Sequence, residues 1–382
     1  MPMWLLYLVL CLFMVFHASV RGNVMLVTLF AIYLDATPFT IGVIVALFSL
    51  FPILLAIYAG KFSDRMGFKF PIVIGSVGMA SALILPFAFP SIIILYVSQT
   101  LGGIAQIFFH VSIQNLVGTL SNKDNRSRNF SLLTISSSVA LMVGPLLTGY
   151  AIEIMSYRET FLLLSLMAAT VCIFFVFIRL PLNAGAGQEV SLEVDSRSTM
   201  DLLKHKPLLK IIITSGIILT GMGLFSFYFP IYSVEIGLSA SVIGLILSVN
   251  ASAFFVIRVI IPFMLKRYGE RNILTGGLII SALGFMLLPI SENVYYLASI
   301  SFILGLGLGG CIPLTLYMTY NETPKNRKGE ALGIRMAANK LSLFLIPIVF
   351  GAMGSIVSNM VIFWTIALLL MFGILLNIQK IG

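Results

Sequence analysis

Twelve long apolar segments, separated by charge clusters and by Pro, Gly and Asn turns, account for most of this 382-residue chain. They lie near 3–34, 39–60, 70–88, 91–119, 128–152, 160–180, 207–232, 240–265, 272–290, 294–320, 329–355 and 359–379. A helix that crosses a bilayer needs about 20 mostly apolar residues. Only 10% of the chain is charged, against roughly 25% in an average soluble domain, so polar surface cannot cover a water-facing core. The expected fold class is an all-α integral membrane protein with twelve transmembrane helices. The first segment lacks a basic n-region and a small-residue cleavage site, and runs on to Leu34. It reads as a span and not as a signal peptide. Cys11, Cys172 and Cys311 fall inside apolar segments and read as small packing residues, without the spacing of a disulfide framework or a metal site.

The net charge of +9 is a matter of sides. Five alternate loops and Lys380 hold 18 of the 23 Lys and Arg, and the opposite loops hold Arg158 alone. By the positive-inside rule both termini and the polar stretch 181–206 are cytoplasmic. The charge therefore reports topology, and nucleic-acid binding is not expected. The stretch 181–206 reads as a linker between an N-terminal six-helix bundle (1–180) and a C-terminal one (207–382).

The two halves read as copies. At an offset of 202 residues, Gly42 falls on Gly244, Arg65 on Arg267, Gly67 on Gly269 and Gly75 on Gly277. Pro145 falls on Pro347, Gly149 on Gly351 and Phe161 on Phe363. Six spans per half is an even number, so both copies share one orientation: a parallel repeat about the membrane normal, with the substrate site expected near the midplane.

The stretch Gly60-x-x-x-Asp64-Arg65-x-Gly67-x-Lys69, with its degraded copy Lys266-Arg267-Tyr268-Gly269-Glu270-Arg271, resembles the loop 2–3 signature of the major facilitator superfamily. Gly144-Pro145-x-x-x-Gly149 resembles a reduced antiporter motif in helix 5. Tyr157-Arg158-x-x-Phe161 is similar to the usual start of helix 6, and Arg258 to a common helix 8 feature of bacterial members. The resemblance implies two six-helix bundles, alternating access by rocking, a cavity lined by helices 1, 4, 7 and 10, and a latch from Asp64 to helix 11. Physically, Gly60 and Gly67 allow close approach and a tight turn, Asp64 can cap a helix N-terminus, and Arg65 and Lys69 anchor the loop. Gating residues are therefore expected at Gly60, Asp64, Arg65, Gly67, Lys69, Arg258 and Arg335, with Arg335 free to snorkel or to pair with Asp64.

Carboxylates are absent from the middle of every span; the deep charges are basic. A charge in hydrocarbon costs at least about 2.5 kcal/mol on insertion scales, so such residues usually face a cavity. His17 and Arg21 share a face of helix 1, four residues apart. Gln99, Gly103, Gln106, His110 and Gln114 form a stripe on helix 4 that reads as a wet face, or as hydrogen bonding between helices. Lys340 lies about 16 Å into helix 11. Tyr228, Tyr232, Asn250, Thr315 and Tyr317 complete the pocket candidates. His17, Arg21, Gln106, His110, Tyr228, Asn250 and Lys340 are the substrate or coupling set.

The chain departs from drug–proton antiporters of the family at two points. Ser98 stands where many carry a helix 4 arginine, and the deep helix 1 charge is Arg21, not a carboxylate. An imidazole, which ordinarily titrates at about 6.5, can carry the proton instead. A basic cavity favours an anionic or zwitterionic solute. The expectation is a proton-coupled secondary exporter of a small organic solute: a monomer in the bacterial inner membrane among its lipids, without a cofactor. Organic-anion uptake or exchange (of a phosphorylated metabolite or siderophore) and lipid flipping remain alternatives. The longest loop is too short for a receptor domain. No nucleophile–base pair or metal-ligand cluster suggests an enzyme.

Overall fold

The structure, a computed structural model, describes residues 3–119, 121, 125–178, 202, 204–324 and 327–378. Most of the linker 181–206 and Lys380 lie outside these residues. The helices are α1 (Met3–Tyr33), α2 (Pro38–Met66), α3 (Lys69–Ala88), α4 (Ile92–Thr119), α5 (Arg126–Ile154) and α6 (Tyr157–Phe177). They continue as α7 (Lys206–Glu235), α8 (Ala240–Tyr268), α9 (Glu270–Leu287), α10 (Val294–Asn321), α11 (Lys328–Gly354) and α12 (Asn359–Ile378). Among the described residues these twelve are long and apolar enough to cross a membrane. Helices suit that solvent because they satisfy their backbone groups internally. Large apolar side chains such as Ile93, Phe177, Phe263 and Ile356 stay exposed on their outer faces.

The chain forms two compact units, residues 1–189 with 233–248, and residues 190–232 with 249–382. The segment 233–248, from the second half of the sequence, groups with the first unit.

The repeat is written in the backbone. Helix α1 ends with Asp35 N–H on the Ile32 carbonyl and Ala36 N–H on the Ala31 carbonyl; α7 ends with Gly237 on Val234 and Leu238 on Ser233. Each pair sits 202 residues from its counterpart, and together they make a Schellman turn, which needs a left-handed residue just past the helix. Gly237 supplies it freely at φ 78°, whereas Asp35 holds φ 57° with a side chain. Asp35→Gly should therefore stabilise the turn by up to about 1 kcal/mol. The expected reading is a small rise in Tm of the detergent-purified protein, and a fall would contradict this account.

Glycine contacts repeat in the same register. A side chain at Gly75 would collide with the backbone of Ala105 and Phe109 on α4, and one at Gly277 with Gly307 and Cys311 on α10. Gly103 lies against the Phe48 carbonyl and Gly305 against the Asn250 carbonyl. Small residues at such places let helix backbones approach, which is how membrane helices gain packing energy.

The expected loop 60–69 is shorter than its charge suggests. Helix α2 runs on to Met66, and only Gly67 and Phe68 turn the chain before α3. Asp64 therefore lies in the last turn of α2 and cannot be an N-terminal cap; its side chain is outside the described ones. A side chain at Gly60 would meet nothing within 4 Å, so neither a turn nor close approach explains that glycine. Gly67 does make the turn at φ 73°, as does its copy Gly269 at φ 73°. Lys69 acts as a tie between helices. Its Nζ donates to the carbonyls of Val176 (2.8 Å) and Ile178 (3.0 Å), fastening the start of α3 to the end of α6. The second copy makes the equivalent tie with an amide, as Asn377 donates to the Arg271 carbonyl and to Thr275.

Candidate substrate and coupling site

In the first unit, α1 and α4 bring His17 and His110 together. Their rings stack with centroids 5.9 Å apart, and Phe13 stacks on His17 at 5.1 Å. His17 is 3% exposed. The Nε2 of His110 lies 3.0 Å from the side-chain nitrogen of Gln114. One helix thus supplies a buried imidazole and the other a half-buried imidazole that reaches an exposed amide.

Arg21 stands one turn beyond His17. It is twelve residues from the end of α1, about 18 Å of rise, at mid-depth. Among the described residues its guanidinium makes no hydrogen bond or ion pair, and its Nε is buried without a partner. What holds it is backbone packing: a side chain at Gly144 of α5 would sit 2.9 Å from Arg21 Cβ. Burying a polar atom unpaired is expensive, although Arg21 as a whole is only half-buried. The charge has no copy, because the repeat positions of His17 and Arg21 are Leu219 and Gly223.

The α4 stripe is not one wet face. Gln99 is buried and exchanges amide hydrogen bonds with Asn23 of α1, at 3.2 and 3.5 Å. Gly103 is closed against α2. Gln106 is half-buried and among the described residues makes no hydrogen bond; Gln114 is exposed. Part of the stripe is interhelical packing, and the remainder clusters at His110.

In the second unit the candidates separate. Tyr228 is fully buried, with its hydroxyl donating to Asn359 at 2.7 Å and its ring edge-on to Phe363. Tyr232 is also buried against Phe363. Asn250 donates to the Ser301 carbonyl at 2.8 Å, locking α8 to α10. Arg335 does not snorkel. It is buried and donates to the Ile312 carbonyl and to Thr315 Oγ1. These four are engaged within the packing of the unit, while Lys340 and Arg258 are half-buried and Tyr317 is exposed. The cysteines are free; Cys11 is exposed, whereas Cys311 is buried with its thiol on the Gly307 carbonyl.

The motif on α5 is a packing device with one unexpected member. Gly144 admits α1, and Gly149 admits the start of α8, where a side chain would collide with the Ala240 carbonyl. One turn on from Gly149, Glu153 Oε1 accepts the Ser241 N–H at 2.9 Å, a carboxylate set on a helix N-terminus, where the dipole favours it. Sequence reasoning places Glu153 at a loop edge and misses this contact. Its spacing of four from Gly149, opposite Ser239 and Ser241, is the available signal.

Twelve helices able to cross a membrane, in two repeated sets and with His17, Arg21 and His110 within the first, fit a membrane transport protein. The family model described as Major Facilitator Superfamily matches residues 8–264 and again 211–378, and the chain belongs to that family. It is 27% identical over 319 residues to the tetracycline resistance protein, class B, of Escherichia coli, covering 81% of this chain and 77% of that one. It is 22% identical to the quinolone resistance protein NorA of Staphylococcus aureus, over 91% of this chain and 89% of that protein. Among solved structures it superposes on the nucleoside transporter NupG with a TM-score of 0.80 at 13% identity, covering 100% of both chains. It likewise superposes on a point mutant of the peptide transporter POT with a TM-score of 0.80 at 14% identity, covering 97% of this chain and 93% of that one.

Proposed function

We propose that this transporter is a proton-coupled exporter of a small organic solute, and that its interior selects anions or zwitterions. The observation that carries the reading is the Arg21 guanidinium, at mid-depth and without a partner among the described residues. Export is supported by the relatives, which are named as resistance proteins. Coupling through imidazole is supported by where the carboxylates are: every Asp and Glu in the twelve helices falls within the first or last three positions. His17 and His110, stacked one turn from Arg21, are the proton-carrying candidates, with Gln106 beside them on α4. Within the second unit, Lys340 is the substrate or coupling candidate on α11. Gly67 and Lys69 set the α2–α3 turn, where Asp64 and Arg65 gate, and Arg258 and Arg335 gate from α8 and α11. The halves are 1–180 and 207–382, joined by the 181–206 linker. The basic loops and both termini face the cytoplasm of a bacterial inner membrane, and the protein works as a monomer.

Purified protein in proteoliposomes should accumulate a radiolabelled organic anion only while a pH gradient stands. His17→Gln and His110→Gln should each cut gradient-driven uptake by about a hundredfold, the low end of what a positioned acid–base group contributes, and leave counterflow exchange intact. Gradient-driven uptake that survives the double substitution removes the imidazoles from this reading. Export of a permanent cation, unaffected by Arg21→Ala, removes the anionic preference.

A further inference from the structure

A groove of about 340 Å³ runs between α8, α9 and α10 in the second unit, and the transport reading makes no use of it. Ile257 and Met264 of α8, Gly276 and Ile280 of α9, and Leu306 and Gly310 of α10 form its walls. Gly276 opens directly into it, since a side chain there would meet nothing within 4 Å. The walls offer water almost no polar partners, so water is a poor filling. Ile280 is exposed on the same wall, which turns the groove toward the hydrocarbon around the spans. From Asn272 to Ile280 it extends eight residues along α9, about 12 Å, the length of an extended chain of roughly ten carbons.

One end of the groove is polar and basic. Tyr268 and Asn272 line it at the α8–α9 turn. The Arg267 guanidinium lies 5.3 Å over the Tyr268 ring, and Asn272 fixes the turn by donating to the Tyr268 carbonyl at 3.0 Å. Arg271 is shared with Glu322 at 3.9 Å, whereas Arg267 is exposed and, among the described residues, has no carboxylate partner. The groove belongs to one copy of the repeat. Where the second unit has Gly276 and Gly310, the first has Ile74 and Phe108, large side chains in place of none.

We infer that this groove holds one acyl chain of an anionic phospholipid from the surrounding bilayer, with the lipid phosphate at Arg267 and Tyr268. Hydrocarbon fills the apolar walls, and the basic end selects the headgroup, because a cation at the membrane surface attracts anionic lipid.

Native mass spectrometry of the protein released from bilayers of equal phosphatidylglycerol and phosphatidylcholine, with matched chains, tests this. The wild type should keep one phosphatidylglycerol about fivefold more often than phosphatidylcholine, the scale of one interfacial cation. Arg267→Gln should keep one lipid and lose the preference. Gly276→Leu, which raises helix propensity and points into open space, should lose the lipid. As a second reading, Ile280→Trp should be quenched more by brominated-chain phosphatidylglycerol than by the brominated phosphatidylcholine. Equal retention of the two lipids by the wild type, an adduct unchanged in Gly276→Leu, or equal quenching would each overturn the inference.

Discussion

Arg21→Ala should weaken transport of an anionic solute severely and leave the protein folded. The two halves of that expectation have one cause. Among the described residues the guanidinium has no hydrogen bond or ion pair, and its Nε is buried unpaired, so its removal breaks no polar contact and relieves the desolvation of that nitrogen. The folded yield and Tm of the variant should equal or exceed those of the parent. A bound anion, by contrast, loses its charge partner in a low-dielectric site, which typically costs about 2–5 kcal/mol. Half-saturating solute should rise at least about 30-fold, since about 1.4 kcal/mol is a factor of ten. Arg21→Lys should fall between the two, because it keeps the charge without the planar fork. Uptake in proteoliposomes, paired with ligand-dependent thermal shifts, reads both quantities. Stabilisation by an organic anion that persists undiminished in Arg21→Ala would place the binding site elsewhere.

Gly144→Val should be strongly damaging. A Cβ there falls 2.6 Å from the Ala18 carbonyl oxygen and 2.9 Å from the Gly22 nitrogen, both backbone atoms of α1. Backbone cannot swing aside as a side-chain tip can, so α1 and α5 must separate. Overpacking of this kind costs typically about 1–3 kcal/mol and occasionally more; with two backbone collisions the upper end, about 3 kcal/mol, is expected. The damage should reach the site as well, since the third atom in contact is Arg21 Cβ at 2.9 Å. Gly60→Ala is the matched control. It meets open space and should gain up to about 1 kcal/mol of helix propensity. Thermal melts in detergent and monodispersity on gel filtration distinguish the two. A Gly144→Val protein with unchanged Tm would refute the packing account.

The spans are legible in the sequence because lipid imposes a crude filter, and long runs of Leu, Ile, Phe and Val pass it in only one way. The repeat is legible because turns and helix contacts demand particular residues: Gly67 and Gly269, or Gly75 and Gly277, keep their identity where backbone geometry allows nothing else. The end of α2 is not legible. Charged residues between apolar runs suggest a loop, yet a helix continues past the hydrocarbon as readily as it ends there. The partners of buried polar groups are also hidden. Gln99 finds Asn23 76 residues away, and Tyr228 finds Asn359 131 residues away, and no local pattern announces either. Glu153 escapes notice for a related reason: its partner is a helix start in the other half of the sequence. The groove on α8–α10 is harder still, since it is made by side chains that are missing.

The register of 202 residues holds for turn torsions and glycine contacts, but it fails for chemistry: His17 corresponds to Leu219, Arg21 to Gly223, and Ser138 to Lys340. The two halves thus share the residues that shape turns and helix contacts, and differ where these polar groups stand. Replacements at these positions would leave the turns and glycine contacts common to both halves untouched, so chemistry can be altered in one copy without disturbing the frame.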